Sequence, residues 1–328
     1  MKAAAILPRN LPMGVIGPIL ALVVLMAVGA SMNENFLGWN NLSNVLARSA
    51  FIGIIAVGMT FVITAGGLDL SVGSMAAFIA GLMIMVMNAL LPTLGVGIPV
   101  VLAGMAVALL AGLAAGLLNG FLITGLKIEA FIVTLGSMGI YRSLVTWLAD
   151  GGTLSLDFTL RTFYQPVYYG GLFGIGWSII VFAVVVVVGE IIMRSTAFGR
   201  HCAAVGSNEQ VAKYSSVRVG RVRLMTYAAL GLLVGVATIM YVPRLGSASS
   251  ATGVLWELEA IAAVIIGGTV LKGGFGRVWG TVLGVLILSM IGNILNLTDF
   301  VSPYLNGAIQ GAIIILAVVL QRETKAGT

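Results

Sequence analysis

Charged residues, cysteine and histidine are scarce in this chain, and each scarcity excludes a class of function. Only 9% of the 328 residues are charged, against 59% that are hydrophobic. A water-soluble protein carries about 25% charged residues, so this chain cannot cover a surface that faces water on all sides. The composition therefore predicts an integral membrane protein.

The single cysteine, Cys202, and the single histidine, His201, are neighbours in the sequence. One cysteine cannot form an internal disulfide framework, and this pair lacks the further ligands that a metal site requires. The sequence also contains no motif for an activated nucleophile. We therefore expect no metal site and no enzyme activity in this chain.

A phosphate-binding loop for ATP is missing as well. Such a loop places a glycine directly before its lysine, and none of the five lysines follows a glycine: Lys2, Lys127, Lys213, Lys272 and Lys325. Any ATP-driven function must therefore take its hydrolysis from a separate subunit.

Long apolar runs, by contrast, fill the chain almost from end to end. A membrane-spanning helix needs about 20 apolar residues. The runs between polar breaks predict ten spans, with eight or eleven as alternatives because short re-entrant segments imitate spans. The ten are 13–30, 43–65, 73–91, 98–124, 130–148, 172–193, 223–245, 254–271, 279–297 and 303–320. Tails are short and no low-complexity linker is present, so we expect one all-α membrane domain, residues 1–328.

The first apolar run has a competing interpretation. Lys2 and Arg9, followed by an apolar run from Met13 to Ala30, resemble a secretory signal that ends in small residues. The run is longer than a signal's apolar region of about 7–15 residues. This length favours an uncleaved first span.

Basic residues are divided unequally between the two sides of these spans. With the N-terminus in the cytoplasm, four fall outside, namely Arg48, Arg142, Arg161 and Arg244, and thirteen fall inside. The inner set is Lys2, Arg9, Lys127, Arg194, Arg200, Lys213, Arg218, Arg221, Arg223, Lys272, Arg277, Arg322 and Lys325. Because Lys and Arg are enriched in cytoplasmic loops, both termini are expected in the cytoplasm. The net charge of +6 then reflects contact with membrane lipid, and no nucleic-acid partner is needed to explain it.

Residues 63–74, ITAGGLDLSVGS, interrupt the apolar pattern at the inner end of the second span. The two glycines can break the helix, and an acidic or hydroxyl side chain can cap the helix that restarts. An ionisable group inside a membrane is costly, and irregular backbone is tolerated there only against protein or a cavity. We therefore assign a helix break at a transport pathway or its gate to Gly66, Gly67, Asp69, Ser71 and Ser74. The alternative is a tight turn in which Asp69 only caps a helix.

A second glycine-rich segment has a similar pattern. GGTVLKGG at 267–274 aligns with GGLDLSVG at 66–73, and four of the eight positions match. Paired segments that glycines interrupt, one in each half of a chain, point to a transport pathway. We therefore expect two related halves with broken helices, the second break being formed by Gly267, Gly268, Gly273 and Gly274.

Four blocks of the sequence resemble the permease subunits of bacterial ATP-binding-cassette importers for monosaccharides, the ribose, xylose, arabinose and galactose class. They are GMTFVITAGGLDLSVGSMAAF (58–78), NGFLITGLKIEAFIVTLGSMGIYRS (119–143), FGRHCAAVGSNEQVAKYS (198–215) and ELEAIAAVIIGGTVLKGGFGRVWGT (257–281). The resemblance covers nearly the whole chain. It implies an inner-membrane importer with two permease subunits, a cytoplasmic ATPase that binds ATP and Mg²⁺, and a periplasmic solute-binding protein. This chain itself would hold no cofactor.

The resemblance also implies a role for the inner loop, residues 194–222. Its basic residues alone suit a loop that faces anionic lipid, whereas the order GSNE at 206–209 is typical of a turn that caps a short helix at 210–214. In the resembled family this loop holds a coupling helix that sits in a cleft of the ATPase. We carry that role to Gly206, Asn208, Glu209 and Ala212. Ser216 stands where family members usually have glycine.

Acidic residues on the outer side are candidates for docking the binding protein, as the resemblance implies. Glu257 and Glu259 begin the eighth span two residues apart, a spacing that does not place them on one helix face. We assign both to docking, with Asp157 of the outer loop 149–171. The alternative for the glutamates is simple anchoring at the membrane interface.

The alternative function is a secondary transporter coupled to protons or sodium. Broken helices and a buried acid such as Asp69 suit that class as well. One clear intramembrane carboxylate is sparse for a proton relay, and the ordered loop 194–222 would have no purpose. The ATP-driven importer is therefore the favoured hypothesis.

Overall fold

The computed structural model describes residues 13–298 together with Leu305, residues 307–309, residues 311–312 and Ile315. Residues 13–298 form thirteen helices and two small antiparallel sheets. The helices are α1 (Met13–Met32), α2 (Trp39–Thr64), α3 (Val72–Leu94), α4 (Ile98–Thr124), α5 (Ala130–Leu148), α6 (Phe158–Tyr164), α7 (Pro166–Tyr169), α8 (Trp177–Ser195), α9 (Ala197–Ser207), α10 (Glu209–Tyr214), α11 (Val219–Leu245), α12 (Trp256–Ile266) and α13 (Val278–Thr298). The strands are β1 (Thr153–Ser155), β2 (Gly171–Leu172), β3 (Ile175–Gly176) and β4 (Ser247–Ser249).

Seven of these helices are long and apolar enough to cross a membrane: α2, α3, α4, α5, α8, α11 and α13. Each coincides with a span expected from the sequence. Helix α1 covers the expected first span 13–30 as a shorter apolar helix. The expected tenth span, 303–320, lies mostly outside the described residues.

The expected span 254–271 differs from the others. It holds only α12, which has 11 residues and is therefore about 16 Å long, whereas a hydrocarbon core is about 30 Å thick. Leu255, with a φ of +68°, precedes this helix, and Gly267 ends it. Helix α12 is consequently a half-length helix, and its first residue stacks on Phe51 near the middle of α2.

Small residues bring α4 and α11 into close contact. Gly112, Gly116 and Gly120 recur every fourth residue along α4 and face α11. A Cβ atom on Gly116 would clash with the carbonyl group of Tyr227, and one on Gly112 would clash with that of Gly231. This is the small-residue packing that lets membrane helices approach each other. Of the long apolar helices, α2 and α11 are the most buried.

The outer loop between α5 and α8 is ordered by its own contacts. Strand β1 pairs with β4, with Leu154 opposite Ala248, and β2 pairs with β3. The hydroxyl of Tyr164 is buried and donates to the carbonyl oxygen of Ile239 at 2.8 Å. These contacts tie the loop to the end of α11.

Candidate transport pathway and coupling site

The first glycine segment ends α2 with a left-handed turn. Gly66 has a φ of +77°, a conformation that glycine adopts without strain. The N–H groups of Gly66 and Gly67 donate to the carbonyl oxygens of Ile63 and Val62, both at 2.9 Å. This pair of bonds is a common helix-ending motif. Residues 65–71 are then non-helical until α3 begins.

The second glycine segment ends α12 with the same pair of bonds. Gly268 has a φ of +86° and donates to Ile265 at 2.9 Å, while Thr269 donates to Val264 at 3.2 Å. Gly268 is thus the geometric counterpart of Gly66, one residue later than the letter-by-letter alignment indicates. The reason is that backbone hydrogen bonding, and not residue identity, determines where a helix stops.

The two breaks lie against each other, with the inner loop packed onto both. The N–H of Gly274 donates to the carbonyl oxygen of Thr64 at 2.9 Å. A Cβ atom on Gly273 would lie 3.0 Å from the Cα atoms of both Gly206 and Gly66. The two glycine segments, more than 200 residues apart in sequence, therefore meet. Gly206, the first residue of the expected coupling turn, touches both.

Asp69 lies in a buried network of hydrogen bonds. Its Oδ1 atom accepts from the N–H of Ser71 at 2.8 Å and from the Ser71 hydroxyl at 2.6 Å. The amide nitrogen of Asn119 donates to Asp69 Oδ2 at 3.3 Å and to the Ser71 hydroxyl at 3.0 Å. The Ser137 hydroxyl donates to Asn119 Oδ1 at 2.7 Å, and the Ser74 hydroxyl donates to the Ser71 carbonyl oxygen at 2.9 Å.

This network joins three spans below the membrane surface. Asn119 lies five residues before the end of α4 and Ser137 seven residues after the start of α5, so the cluster is roughly 7–10 Å inside the inner helix ends. Asp69 is 1% exposed, and Ser71 and Ser74 are fully buried. These three side chains do not line an open cavity, because protein contacts enclose them. They form a buried polar network at the break, and their part in the pathway or its gate stays a prediction.

The glycines of the first break, in contrast, do line a cavity. Gly66 and Gly67 border a space of about 700 Å³ at the inner ends of α4, α5 and α11, together with Lys127, Glu129 and Arg223. The Tyr227 hydroxyl forms its inner wall and donates to the carbonyl oxygen of Leu68 at 2.9 Å. The backbone of the break is therefore the part that faces open space.

Glu209 links the short helix α10 to the first break. Its carboxylate pairs with Lys213 at 2.6 Å and with Arg223 at 3.0 Å. The Nε atom of Arg223 donates to the carbonyl oxygen of Ala65 at 3.5 Å. The hydrogen bond from Lys213, followed by the charge of Arg223, lowers the pKa of Glu209 below its ordinary 4.5. The carboxylate therefore stays ionised at neutral pH and connects α10 to the end of α2.

The inner loop contains the expected short helix, α10. Which of its residues are buried against this chain and which are exposed was not evident from the sequence. Asn208 caps α10 through its Oδ1 atom, which accepts from the N–H of Val211 at 3.1 Å. Ala212 is buried, so it faces this chain and not a partner. Val211 and Tyr214 are 58% and 87% exposed and present the apolar surface that the residue types alone did not single out.

The turn after α10 contains Ser216, at the position where the resembled family usually has glycine. Ser216 has a φ of +63°, a left-handed conformation that favours glycine. The turn that follows the helix is thus present here with serine in the strained position.

The three expected docking residues lie in different environments. Glu257 is buried beside the backbone of Gly73, a position that does not favour contact with a soluble partner, and its docking role stays a prediction. Glu259 is half-buried and lines a cavity between α2, α12 and α13. Asp157 uses its carboxylate to cap α6, accepting from the N–H of Thr159 at 2.8 Å. None of the three offers a free carboxylate at the tip of an outer loop.

Several polar residues of the site escaped the sequence analysis. Asn119 and Ser137 lie inside apolar spans, and a polar residue at such a position is the sequence feature that could have indicated them. Glu190 in α8 is a further buried carboxylate, which pairs with Arg194 and accepts from the N–H of Trp279 at 3.4 Å. Only the tertiary structure shows what such single polar residues contact.

Known proteins resemble this chain over nearly all of its length. The family model described as the permease component of the branched-chain amino acid transport system matches residues 41–318. A ribose import permease protein of Bacillus subtilis is 38% identical over 314 residues, covering 95% of this chain and 94% of that protein. The ribose import permease protein of Haemophilus influenzae is 36% identical, covering 92% and 90%. A galactose/methyl galactoside import permease protein of Escherichia coli is 34% identical, covering 93% of each.

Proposed function

This chain belongs to the family of branched-chain amino acid transport system permease components, and we propose that it imports a monosaccharide or a similar small polar solute. It is a permease subunit of an ATP-binding-cassette importer and not an enzyme, since ATP hydrolysis resides in a separate ATPase subunit. The sugar assignment is supported by relatives named for ribose and galactose import, which are 34–38% identical to it. Selectivity among sugars is assigned to the binding protein that delivers the solute.

The fold we propose for the whole chain has ten membrane-crossing or re-entrant segments arranged in two related halves. The matched helix endings at Gly66 and Gly268 support this arrangement, because each half would then contain one broken helix. Both termini are placed in the cytoplasm on the strength of the basic residues. The chain acts as one permease domain, residues 1–328, in the inner membrane.

The single observation that carries the mechanism is the contact of Gly206 with both breaks. We assign residues 194–222 to coupling, with α10 docked in the ATPase through Tyr214 and Val211. ATP and Mg²⁺ bind to that ATPase and move α10. Because Glu209, Arg223 and the Ala65 carbonyl form a continuous chain of contacts, the movement reaches the first break directly. Gly274, bonded to Thr64, carries it to the second.

The partners follow from this mechanism. A pathway between subunits requires a second permease, identical or closely related, beside this one in the lipid. A periplasmic binding protein docks outside, and of the acidic candidates we retain Asp157 and Glu259 for that surface. No nucleic acid is involved.

The secondary-transporter alternative does not fit the family or the position of Asp69. Its carboxylate accepts three hydrogen bonds from Ser71 and Asn119 and is shielded from the cavity. A coupling carboxylate must exchange its proton or ion with water on both sides in turn. We therefore assign Asp69 a positioning role.

The test is ATP-dependent uptake by the intact complex. The complex would be purified from native membranes through a tag on this chain and reconstituted with its binding protein in vesicles. We expect uptake of radiolabelled D-ribose, D-xylose or D-galactose that requires ATP and persists when ionophores abolish ion gradients. Uptake that continues without ATP and stops with ionophores would refute the proposal.

A further inference from the structure

A second cavity, of about 360 Å³, lies between α2, α12 and α13 and has no part in the coupling contacts. It lies between the outer halves of α2 and α13, near the start of the half-length helix α12. The glycine breaks lie at the other end of α12. We call it the outer polar cavity. Its polar lining consists of Asn41, Asn44, Arg48, Ser289, Asn293, Asn296 and Glu259.

These polar residues form one face on each long helix. On α2 they occur at positions 41, 44 and 48, and on α13 at positions 289, 293 and 296. Spacings of three and four residues place side chains on the same side of a helix. Arg48 lies about 14 Å along α2 from its outer end, well within the depth of a bilayer. A charged group at that depth must face protein or water, because facing lipid is too costly.

Packing between the helices accounts for only part of this polarity. Asn41 and Asn293 exchange hydrogen bonds of 2.9 Å in both directions and so join α2 to α13. Asn44, Asn296 and Arg48 are exposed and point their remaining donors and acceptors into the space. A cavity of this size is in the range of small-molecule sites.

We propose that the outer polar cavity is a transient binding site for the transported polyhydroxylated solute, an inference that rests on the proposed function. Carboxamides both donate and accept hydrogen bonds, as sugar hydroxyls do, and the guanidinium of Arg48 adds a planar set of donors. Val285 and Leu288 supply apolar wall for the C–H faces of a sugar ring. The site holds the solute between its release from the binding protein and the opening of the inner pathway.

Solute protection of an introduced cysteine tests the site directly. Asn44→Cys is made in a Cys202→Ala background and labelled in vesicles by a membrane-impermeant maleimide, with and without D-ribose, D-xylose or D-galactose. The control is Ser31→Cys, an exposed position at the outer end of α1 that does not line the cavity. We expect the transported sugar to slow labelling at position 44 and to leave position 31 unchanged. Equal labelling at position 44 with and without the sugar, in a variant that still imports it, would overturn the proposal.

Uptake by the full complex gives the second measurement. Asn296→Leu removes the hydrogen-bonding groups with little change in volume, and we expect uptake to fall roughly three- to tenfold, the effect of losing one hydrogen bond to the solute. Ser31→Ala should import at the wild-type rate, because Ser31 does not line the cavity. Wild-type uptake by Asn296→Leu would overturn the proposal. A wild-type complex that imports none of the three sugars would instead refute the proposed function.

Discussion

Replacing Gly206 with alanine should uncouple ATP hydrolysis from import. The new Cβ would clash with the Thr64 carbonyl oxygen and lie 2.5 Å from the Gly274 nitrogen, whereas ordinary contacts begin at 3.4 Å. Both neighbours are backbone atoms and cannot rotate away, so the loop has to move by about 1 Å at a cost of roughly 1–3 kcal/mol. Alanine gains about 1 kcal/mol of helix propensity over glycine, which leaves a net cost of about 0–2 kcal/mol. A cost of 1–2 kcal/mol lowers the equilibrium ratio of properly seated to displaced loops by about 5–30-fold.

The assay is the number of sugar molecules imported per ATP hydrolysed in vesicles, with thermal unfolding of the complex measured in parallel. Gly220→Ala is the matched control, because a Cβ there meets only Thr124, at 3.8 Å, close to the same loop. We expect Gly206→Ala to retain hydrolysis and to lose most import, with Gly220→Ala close to wild type in both. If Gly206→Ala imports as much sugar per ATP as Gly220→Ala does, contact between the loop and the breaks does not transmit the motion.

Four further predictions concern the same region. Asp69→Asn should lower uptake without preventing membrane insertion, because the new amide opposes the donor of Asn119; normal uptake at normal protein levels would exclude a role in the break. Arg223→Gln should lower import per ATP several-fold, with Arg223→Lys restoring part of it, since the lysine keeps the charge facing Glu209; equal losses in both would point to packing instead. The pKa of Glu209 is lowered in the folded protein. The stabilisation from its ion pairs with Lys213 and Arg223 is therefore fully present above the ordinary pKa of 4.5, and it is lost only as the pH falls through the lower pKa of the folded protein. Protease sensitivity of the inner loop should thus be constant from neutral pH down to that range and then rise, and Glu209→Gln should abolish the rise. Burial raises the pKa of Cys202 to about 12, so maleimide should label it only after denaturation; rapid labelling in native vesicles would contradict its burial.

Helix positions were predictable because lipid imposes a simple rule on composition. Every long span from α2 to α5 coincides with an apolar run, since a segment that faces hydrocarbon must be apolar along its length. The break after Thr64 was also predictable, because paired glycines and an acidic residue interrupt that run. The expected side-chain cap is not formed, since neither Asp69 nor Ser71 accepts from an N–H group inside α3. The length of α12 was not, since its apolar run continues past the point where Gly268 ends the helix.

The surroundings of individual side chains were less predictable, for a physical reason. Asp69 and Glu257 are conspicuous in the sequence because they place charge in an apolar chain, but the residue type does not show whether such a group is buried. Both are buried, and Asp69 is held by hydrogen bonds from Ser71 and Asn119. Val211 and Tyr214 were overlooked because apolar residues are common in this sequence, and only exposure distinguishes them.

The sequence by itself determined that this chain lies in a membrane and where its glycine segments fall. These properties depend on the residue types of single segments, which are read locally. Only the tertiary structure decided that the two glycine segments touch, that Gly206 lies against both and that asparagines from α2 and α13 share one cavity. Those contacts join residues from 67 to 252 positions apart, and the distance between such residues is determined by how the helices pack.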